Sequence, residues 1–175
     1  MISVVSMNLE EAYKIRDIDR SETIELIYQC IEGELKETKV LHECPNWDED
    51  HYKEIISRYE YEVSSGGAAY GAFDGDRLVG FAVLEHKFRG KDNDQLQIDL
   101  MYVTREYRRQ GIGSKIFEAL SREAAKRGAR QLYISATETE SAVKFYSNHG
   151  SSITPNVDTE LFEKEPNDVH MIKIL

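Results

Sequence analysis

The sequence predicts an α/β domain of the α+β kind, a mixed central sheet flanked by helices, and three observations carry that expectation. An apolar-alternating segment, 95–103, runs into Arg108-Arg109-Gln110-Gly111-Ile112-Gly113, and a helix-patterned stretch, 114–127, closed by Gly128, follows. A second strand-like run, 131–136, again leads into a helical one, 140–148. Between the apolar runs 68–73 and 78–88 stands Asp74-Gly75-Asp76, a hairpin signal of the Asp-Gly type. Helical crossovers join parallel strands and tight turns join antiparallel ones, so both pairings are expected in one sheet. At 175 residues the chain suits one domain, 1–175, with a single sizeable core.

In chain order, 9–16 reads as a short helix with Asn8 as its cap. Residues 23–31, rich in Ile, Leu and Tyr, and the alternating 35–41 flank the turn Glu32-Gly33-Glu34 as a hairpin, although 22–28 also fits a helix. Pro45-Asn46-Trp47-Asp48 breaks the chain. Asp48 then caps a helix to about Glu62, with Tyr52, Ile55, Ile56 and Tyr59 at helical spacing. Ser64-Ser65-Gly66-Gly67 reads as a turn rather than a linker, and 89–94 as a polar loop. The helix after the glycine loop puts Ile112, Ile116, Phe117, Leu120 and Ala124 on one face, with Lys115, Arg122, Glu123 and Lys126 away from it. Leu161-Phe162 and 170–175 are expected as terminal strands separated by Pro166-Asn167.

The glycine loop is the chemical signal. Gly111 and Gly113 admit backbone angles closed to other residues and leave no Cβ in the way. The uncapped N–H groups of the following helical turn point at the loop, where the helix dipole favours negative charge. Arg108 and Arg109 add charge-assisted donors suited to phosphate. The expected ligand carries a pyrophosphate, although a strand-to-helix turn can need glycine for its geometry alone. G-x-G-x-x-G fails because Ile116 stands at its third glycine, and G-x-x-x-x-G-K-[ST] is absent.

The loop does fit R/Q-x-x-G-x-G/A, as Arg108-x-x-Gly111-x-Gly113, and here the chain resembles the GNAT superfamily of N-acetyltransferases. Downstream, Ala142, Tyr146 and Gly150 fall in register with that family's N-x-x-A-x-x-x-Y-x-x-x-G-F segment, with Thr139 in place of Asn and Ser151 in place of Phe. Upstream, Val103-Thr104-Arg105-Glu106-Tyr107-Arg108 resembles V-x-P-x-Y-R, with Arg105 in place of proline. The resemblance covers about 70–175 clearly and the first 65 residues through element order. It implies a sheet splayed between the strands around 95–103 and 131–136, and acetyl-CoA as co-substrate. It also implies an acetyl-CoA-binding core at 67–175 and acceptor-side elements at 1–66. Cofactor contacts are then expected from Met101, Tyr102, Val103, Arg108, Arg109, Gln110, Gly111, Ile112, Gly113, Ser114 and Thr139.

Acetyl transfer to an amine needs a stabilised thioester carbonyl, a neutral amine and a protonated leaving thiolate. The resemblance assigns the first task to backbone amides of Met101, Tyr102 and Val103, and the last to Tyr146 as general acid. The alternative for Tyr146 is an aromatic that packs the core or the cofactor. For the base, Asp99 lies two residues before Met101 and is expected on the same strand face; Glu85, on the preceding strand, is the other candidate. Either is also readable as a solvent-facing charge. In ribosomal-protein N-terminal acetyltransferases a glutamate serves as base on the strand before the tyrosine helix. The position in register here is Ile134, which argues against that subgroup.

The net charge of −10 is unevenly placed: residues 1–66 carry 16 acidic and 7 basic side chains, while 105–130 carry eight basic and three acidic ones. The basic island suits an anionic co-substrate. The acidic third disfavours nucleic acid and would steer a cationic acceptor, unless it only keeps the surface solvated. Asp19, Glu22, Tyr28 and Trp47 are the acceptor candidates, with Asp17 and Glu25 beside them, through carboxylates and aromatic faces. Asn156-Val157-Asp158-Thr159-Glu160-Leu161-Phe162 resembles the V-D-T-x-L-Y stretch of streptothricin acetyltransferases. The leading expectation is N-acetylation of a small cationic amine, such as an aminoglycoside, a streptothricin or a polyamine. Protein or peptide acetylation and a non-catalytic acyl-CoA-binding module are the alternatives, and a homodimer stays open. Cys30 and Cys44 imply no disulfide framework, Cys30 being expected opposite about residue 36, and His42-Glu43-Cys44 lacks the spacing of a metal site. No apolar run approaches the roughly 18 residues of a membrane span. Met1-Ile2-Ser3-Val4-Val5 does not read as a signal peptide, so a cytoplasmic location is expected.

Overall fold

The structure is a computed structural model of all 175 residues. Strand β1 (Ile2–Met7) leads into a 3-10 helix, Leu9–Asp17, where Asn8 and Glu11 form a capping box. Strands β2 (Glu22–Ile31) and β3 (Glu34–Cys44) pair as an antiparallel ribbon, so the helical alternative for 22–28 is not taken. Cys30 faces Leu35 across the ribbon and Cys44 faces Glu22; both thiols are free. Helix α1 (Glu49–Ser64) starts at Asp48, whose side chain accepts the His51 N–H. Then come β4 (Ala68–Asp74), β5 (Arg77–Leu84), β6 (Gln95–Val103), α2 (Ile112–Lys126), β7 (Gln131–Ala136), α3 (Glu140–Asn148), β8 (Ser151–Ile153), α4 (Thr159–Lys164) and β9 (Val169–Ile174).

The main sheet has seven strands in the order β1-β4-β5-β6-β7-β9-β8, and only β6 and β7 are parallel neighbours. The apolar stripe of α2 is buried as its spacing requires, with Ile116, Leu120 and Ala124 fully inaccessible. It packs over Val79, Ala82, Leu96, Ile98, Leu132 and Ile134. On the opposite face α1 and the 3-10 helix bring Ile15, Ile18, Ile55 and Tyr59 against Leu78, Phe81, Val83 and Leu100. No helix is long and apolar enough to cross a membrane.

Two expectations are corrected. Leu161-Phe162 lies in helix α4 rather than a strand, because Asp158 caps the turn at the Leu161 N–H and Leu161 is buried. The strand expected at 78–88 ends at Leu84; beyond it Glu85 N–H still reaches Gln97 O, and Arg89 forms an isolated bridge with Gln95. Strands β1 and β8 were not anticipated.

Candidate active site

The parallel pairing of β6 and β7 is short. Gln95, Leu96 and Gln97 face Gln131, Leu132 and Tyr133, and no further pair follows. Past that point the two strands part, leaving a V with one bare edge on each side. The β6 edge also carries a bulge: Leu84 pairs with Ile98 but Val83 pairs with Leu100, so Asp99 is the extra residue. The parity of side chains reverses there. Ile98 belongs to the core beneath α2 and Leu100 to the core beneath α1, while Met101 and Val103 again pack toward α2. Asp99 therefore does not share a face with Met101, contrary to the expectation from simple alternation. It faces α1, where Arg58 Nη2 donates to its Oδ1 at 2.8 Å and to its carbonyl oxygen at 3.1 Å.

Main-chain polarity along this edge follows from one bond. Thr104 N–H donates to Val79 O, and antiparallel pairs alternate, so Tyr102 is bonded to β5 while Met101 and Val103 turn their amides into the V. Of the three amides expected at the thioester, two are free to serve. Val103 O already accepts from Arg108 Nε at 2.9 Å.

The glycine loop is built as an anion cradle. Arg109 (φ 60°) and Gly111 (φ 78°) are both left-handed. Backbone donation within α2 begins with Lys115 N–H to Gly111 O, so the N–H groups from Arg109 to Ser114 have no protein acceptor. A Cβ on Gly111 would meet no protein atom within 4 Å, which makes it the open floor of the cradle. At Gly113 a Cβ would come within 3.1 Å of the Phe145 ring, so this glycine lets α2 approach α3. Ser114 Oγ lies 2.8 Å from His149 Nε2, and His149 Nδ1 lies 2.7 Å from Phe145 O. A carbonyl can only accept, so the ring proton sits on Nδ1 and the serine hydroxyl donates to Nε2. Unused amides, an open floor and an exposed Arg109 fit a diphosphate.

Arg108 departs from its expected role. Its guanidinium is turned inward, donating to Val103 O (2.9 Å), Ser21 O (2.8 Å) and Asp19 O (3.2 Å). Burial lowers its pKa, with Glu22 and Asp19 opposing. So placed, its guanidinium clamps the chain through three main-chain carbonyls. The clamped segment, 19–28, is a strap across the open end of the V. On the β6 side Thr104 Oγ1 accepts the Asp19 N–H, and Arg105 N–H reaches Asp19 O. On the β7 side Ser141 Oγ donates to Glu22, Ile27 bridges Thr139, and Tyr28 N–H donates to Glu138 O at 2.7 Å. Thr139 spends its hydroxyl as the α3 cap, accepting from Ala142 N–H at 3.4 Å. Gln110 spends its amide on Glu106 O.

Tyr146 lies in α3, 9% exposed, with its ring against Phe117 and Phe145. Burial pushes its phenol well up, and the charges of Tyr102 and Asp168 push the same way. Tyr102 carries a raised phenol too: burial dominates, Arg20 and Arg58 oppose it, and Asp99 and Asp168 add to it. Trp47, 7% exposed, stands edge-to-face on Tyr102 at 4.7 Å between centroids and on Tyr52 at 5.4 Å. Tyr102 thus has Trp47 packed on its ring, and Asp168 acts electrostatically on both Tyr102 and Tyr146 while Asp99 acts on Tyr102. Asp168 escaped sequence reasoning, since nothing in Asn167-Asp168-Val169 separates it from its acidic surroundings.

The other candidates are placed differently. Glu85 is 3% exposed, receives Arg89 Nε at 2.7 Å and Gln97 N–H at 3.1 Å, and so closes the base of the V. Burial raises its pKa while Arg89 opposes. Asp19 is held low by its bonds from Ser21 and borders a separate polar cleft of about 400 Å³ with Arg77, Thr104, Arg105 and Glu106. Glu22 is engaged by Ser141, and Tyr28 is buried on the strap with its hydroxyl 3.4 Å from Glu37. Of the four acceptor candidates, Trp47 alone stands against Tyr102.

A sequence model of the acetyltransferase (GNAT) family matches residues 28–150. Among solved structures, a nourseothricin acetyltransferase superposes with a TM-score of 0.74 at 19% identity, covering 99% of this chain and 98% of the other. A Bacillus anthracis protein assigned as a streptothricin acetyltransferase, solved with acetyl-coenzyme A, gives 0.75 at 15%, covering 100% and 99%. The ribosomal-protein-S18-alanine N-acetyltransferase of Escherichia coli gives 0.64 at 14%, covering 99% and 94%. At such identities the likeness is one of fold. The family match settles the class: the chain belongs to the GNAT acetyltransferases and is an acetyl-CoA-dependent acyltransferase.

Proposed function

We propose that this acetyltransferase acts on the amine of a small, cationic molecule of the aminoglycoside, streptothricin or polyamine kind. The observation that carries the reading is the strap. By tying Thr104, Arg105 and Arg108 on one lip to Glu138, Thr139 and Ser141 on the other, residues 19–28 bound the opening of the V. A bounded opening suits a compact acceptor better than an extended polypeptide. Tyr102 supplies an aromatic face, Trp47 holds Arg20 over its ring as a cation would be held, and Asp168 supplies a carboxylate with no ion pair. Ile134, 1% exposed, stands where the ribosomal-protein subgroup has its glutamate, which supports a different acceptor from that subgroup's.

In this reading the loop amides of Arg109 to Ser114 hold the diphosphate with Arg109, and the free amides of Met101 and Val103 receive the thioester carbonyl. Bound acetyl-CoA supplies the activated acetyl group. Tyr146 delivers a proton to the sulfur as it leaves. A thiol-release assay with acetyl-CoA and a panel of streptothricin, tobramycin, spermidine, amino acids and short peptides tests the proposal. Turnover with the polycations is expected. Turnover confined to peptides, or none with any amine, would discard the substrate class.

A further inference from the structure

We propose that Asp168 is the carboxylate that accepts the acceptor's proton, an assignment resting on the amine-acetylation reading above. Of the carboxylates at the V, two are already neutralised by arginine, Glu85 by Arg89 at 2.7 Å and Asp99 by Arg58 at 2.8 Å, and Glu138, beyond β7, has no side-chain hydrogen bond to fix its carboxylate. Asp168 forms no ion pair. It immediately precedes β9, whose first residue, Val169, pairs with Ala136, and it is held by Ser135 Oγ donating to Oδ2 at 2.7 Å. Ser135 and Ala136 belong to the stretch of β7 that β6 has left, so Ser135 stands on the bare lip of the V and holds Asp168 from one strand behind it, on the β9 side.

The side of the sheet agrees. Leu132, Ile134 and Ala136 point into the core beneath α2, which leaves Tyr133 and Ser135 on the opposite face, toward which Asp99 also turns. An ammonium group entering from that face meets one carboxylate without a cation. Burial raises Asp168 above the ordinary aspartate range, which improves its match to an amine. The surrounding charges are Glu165 after α4, Glu138 after β7 and His170 on β9, with the phenols of Tyr102 from β6 and Tyr146 from α3.

The protons balance. Asp168 takes one from the ammonium, and the neutral nitrogen forms its bond to the acetyl carbon while the carbon–sulfur bond breaks. Tyr146 gives its proton to the departing sulfur and regains one from the nitrogen, now an amide. Asp168 releases its proton to solvent.

The test uses the full chain with streptothricin, spermidine and an alanine-initiated peptide as probes. With whichever the wild type acetylates, Asp168→Asn is expected to lower kcat/KM about 10²-fold or more at pH 7. It should erase the acidic limb of the pH profile and leave acetyl-CoA affinity unchanged. Ser135→Ala removes a bond that favours the ionised form, so it should move the acidic limb to higher pH while the plateau stays within a few-fold. A structural defect would lower the plateau and leave the limb in place. Independently of any acceptor, carboxyl-carbon NMR of labelled aspartate should place the Asp168 midpoint above the usual range, rising further in Ser135→Ala. Wild-type kcat/KM in Asp168→Asn, an unmoved limb in Ser135→Ala, or an ordinary midpoint overturns the proposal. Turnover of the peptide alone defeats the small-cation reading and leaves the Asp168 test intact.

Discussion

The glycine loop at 105–114 and the strap at 19–28 meet at Arg108, yet they are made in opposite ways. The loop offers main chain: six N–H groups without protein acceptors, two left-handed residues and a floor with no side chain. The strap is tied by Asp19, Ser21, Glu22 and Tyr28, bonded to both lips of the V. Main-chain recognition of an anion tolerates many side chains, provided the backbone angles are kept, so one loop can serve enzymes with unrelated acceptors. The proposed acceptor pocket of Trp47, Asp99, Tyr102, Tyr146 and Asp168 draws on four separate segments and changes with any of them.

The most forceful test of this contrast falls where both halves converge. Tyr146→Phe is expected to lower kcat by about 10²–10⁴ while acetyl-CoA affinity stays close to wild type, since the ring still packs on Phe117 and Phe145. Because burial raises the phenol, it stays protonated below its unperturbed value of about 10. No alkaline limb from Tyr146 is therefore expected in a wild-type profile below that pH. Wild-type kcat in the variant would return Tyr146 to packing alone.

Gly111→Val addresses the loop by itself. A branched side chain at φ 78° is strained, by about 1–3 kcal/mol, and its Cβ would fill the open floor. Acetyl-CoA affinity by calorimetry should fall about 10–100-fold in a variant that keeps its helical and strand signals. Unchanged affinity would remove the diphosphate from this loop.

Arg108→Met tests the joint between the two. Three carbonyls, of Val103, Ser21 and Asp19, lose a charged donor. Stability should drop by about 1–3 kcal/mol, read as a lower denaturation midpoint, and KM should rise more for the acceptor than for acetyl-CoA. The reverse ranking would restore Arg108 as a phosphate ligand. Salt gives the smallest effect. If the acidic third steers a cation, kcat/KM for a polycation should fall a few-fold as salt rises through 0.1 M, where screening acts over about 10 Å. A flat salt profile with full activity would leave that acidity as a solvated surface.

Sequence spacing was most informative where structure is local. Strands β6 and β7 and helix α3 have the bounds expected of them, because each couples a short apolar period to a cap or a glycine. What escaped is set by distant partners. The inward turn of Arg108 depends on carbonyls 87 and 89 positions away. Asp168 is singled out by Ser135, 33 residues earlier, and by tyrosines on β6 and α3. The face of Asp99 depends on how β5 registers against β6, and alternation along one strand contains no trace of that register.

The bulge at Asp99 has a consequence for grafting and alignment. It acts as a single-residue parity switch within a nine-residue strand. Removing one residue there would exchange the allegiance of everything upstream or downstream, putting Met101 under α1 or Ile98 out of the core beneath α2. A segment borrowed from a relative without the extra residue would be similar in composition yet inside out. Comparisons among such enzymes should therefore be anchored on Leu100 to Val103, counting backward from the glycine loop, with the gap placed at Asp99.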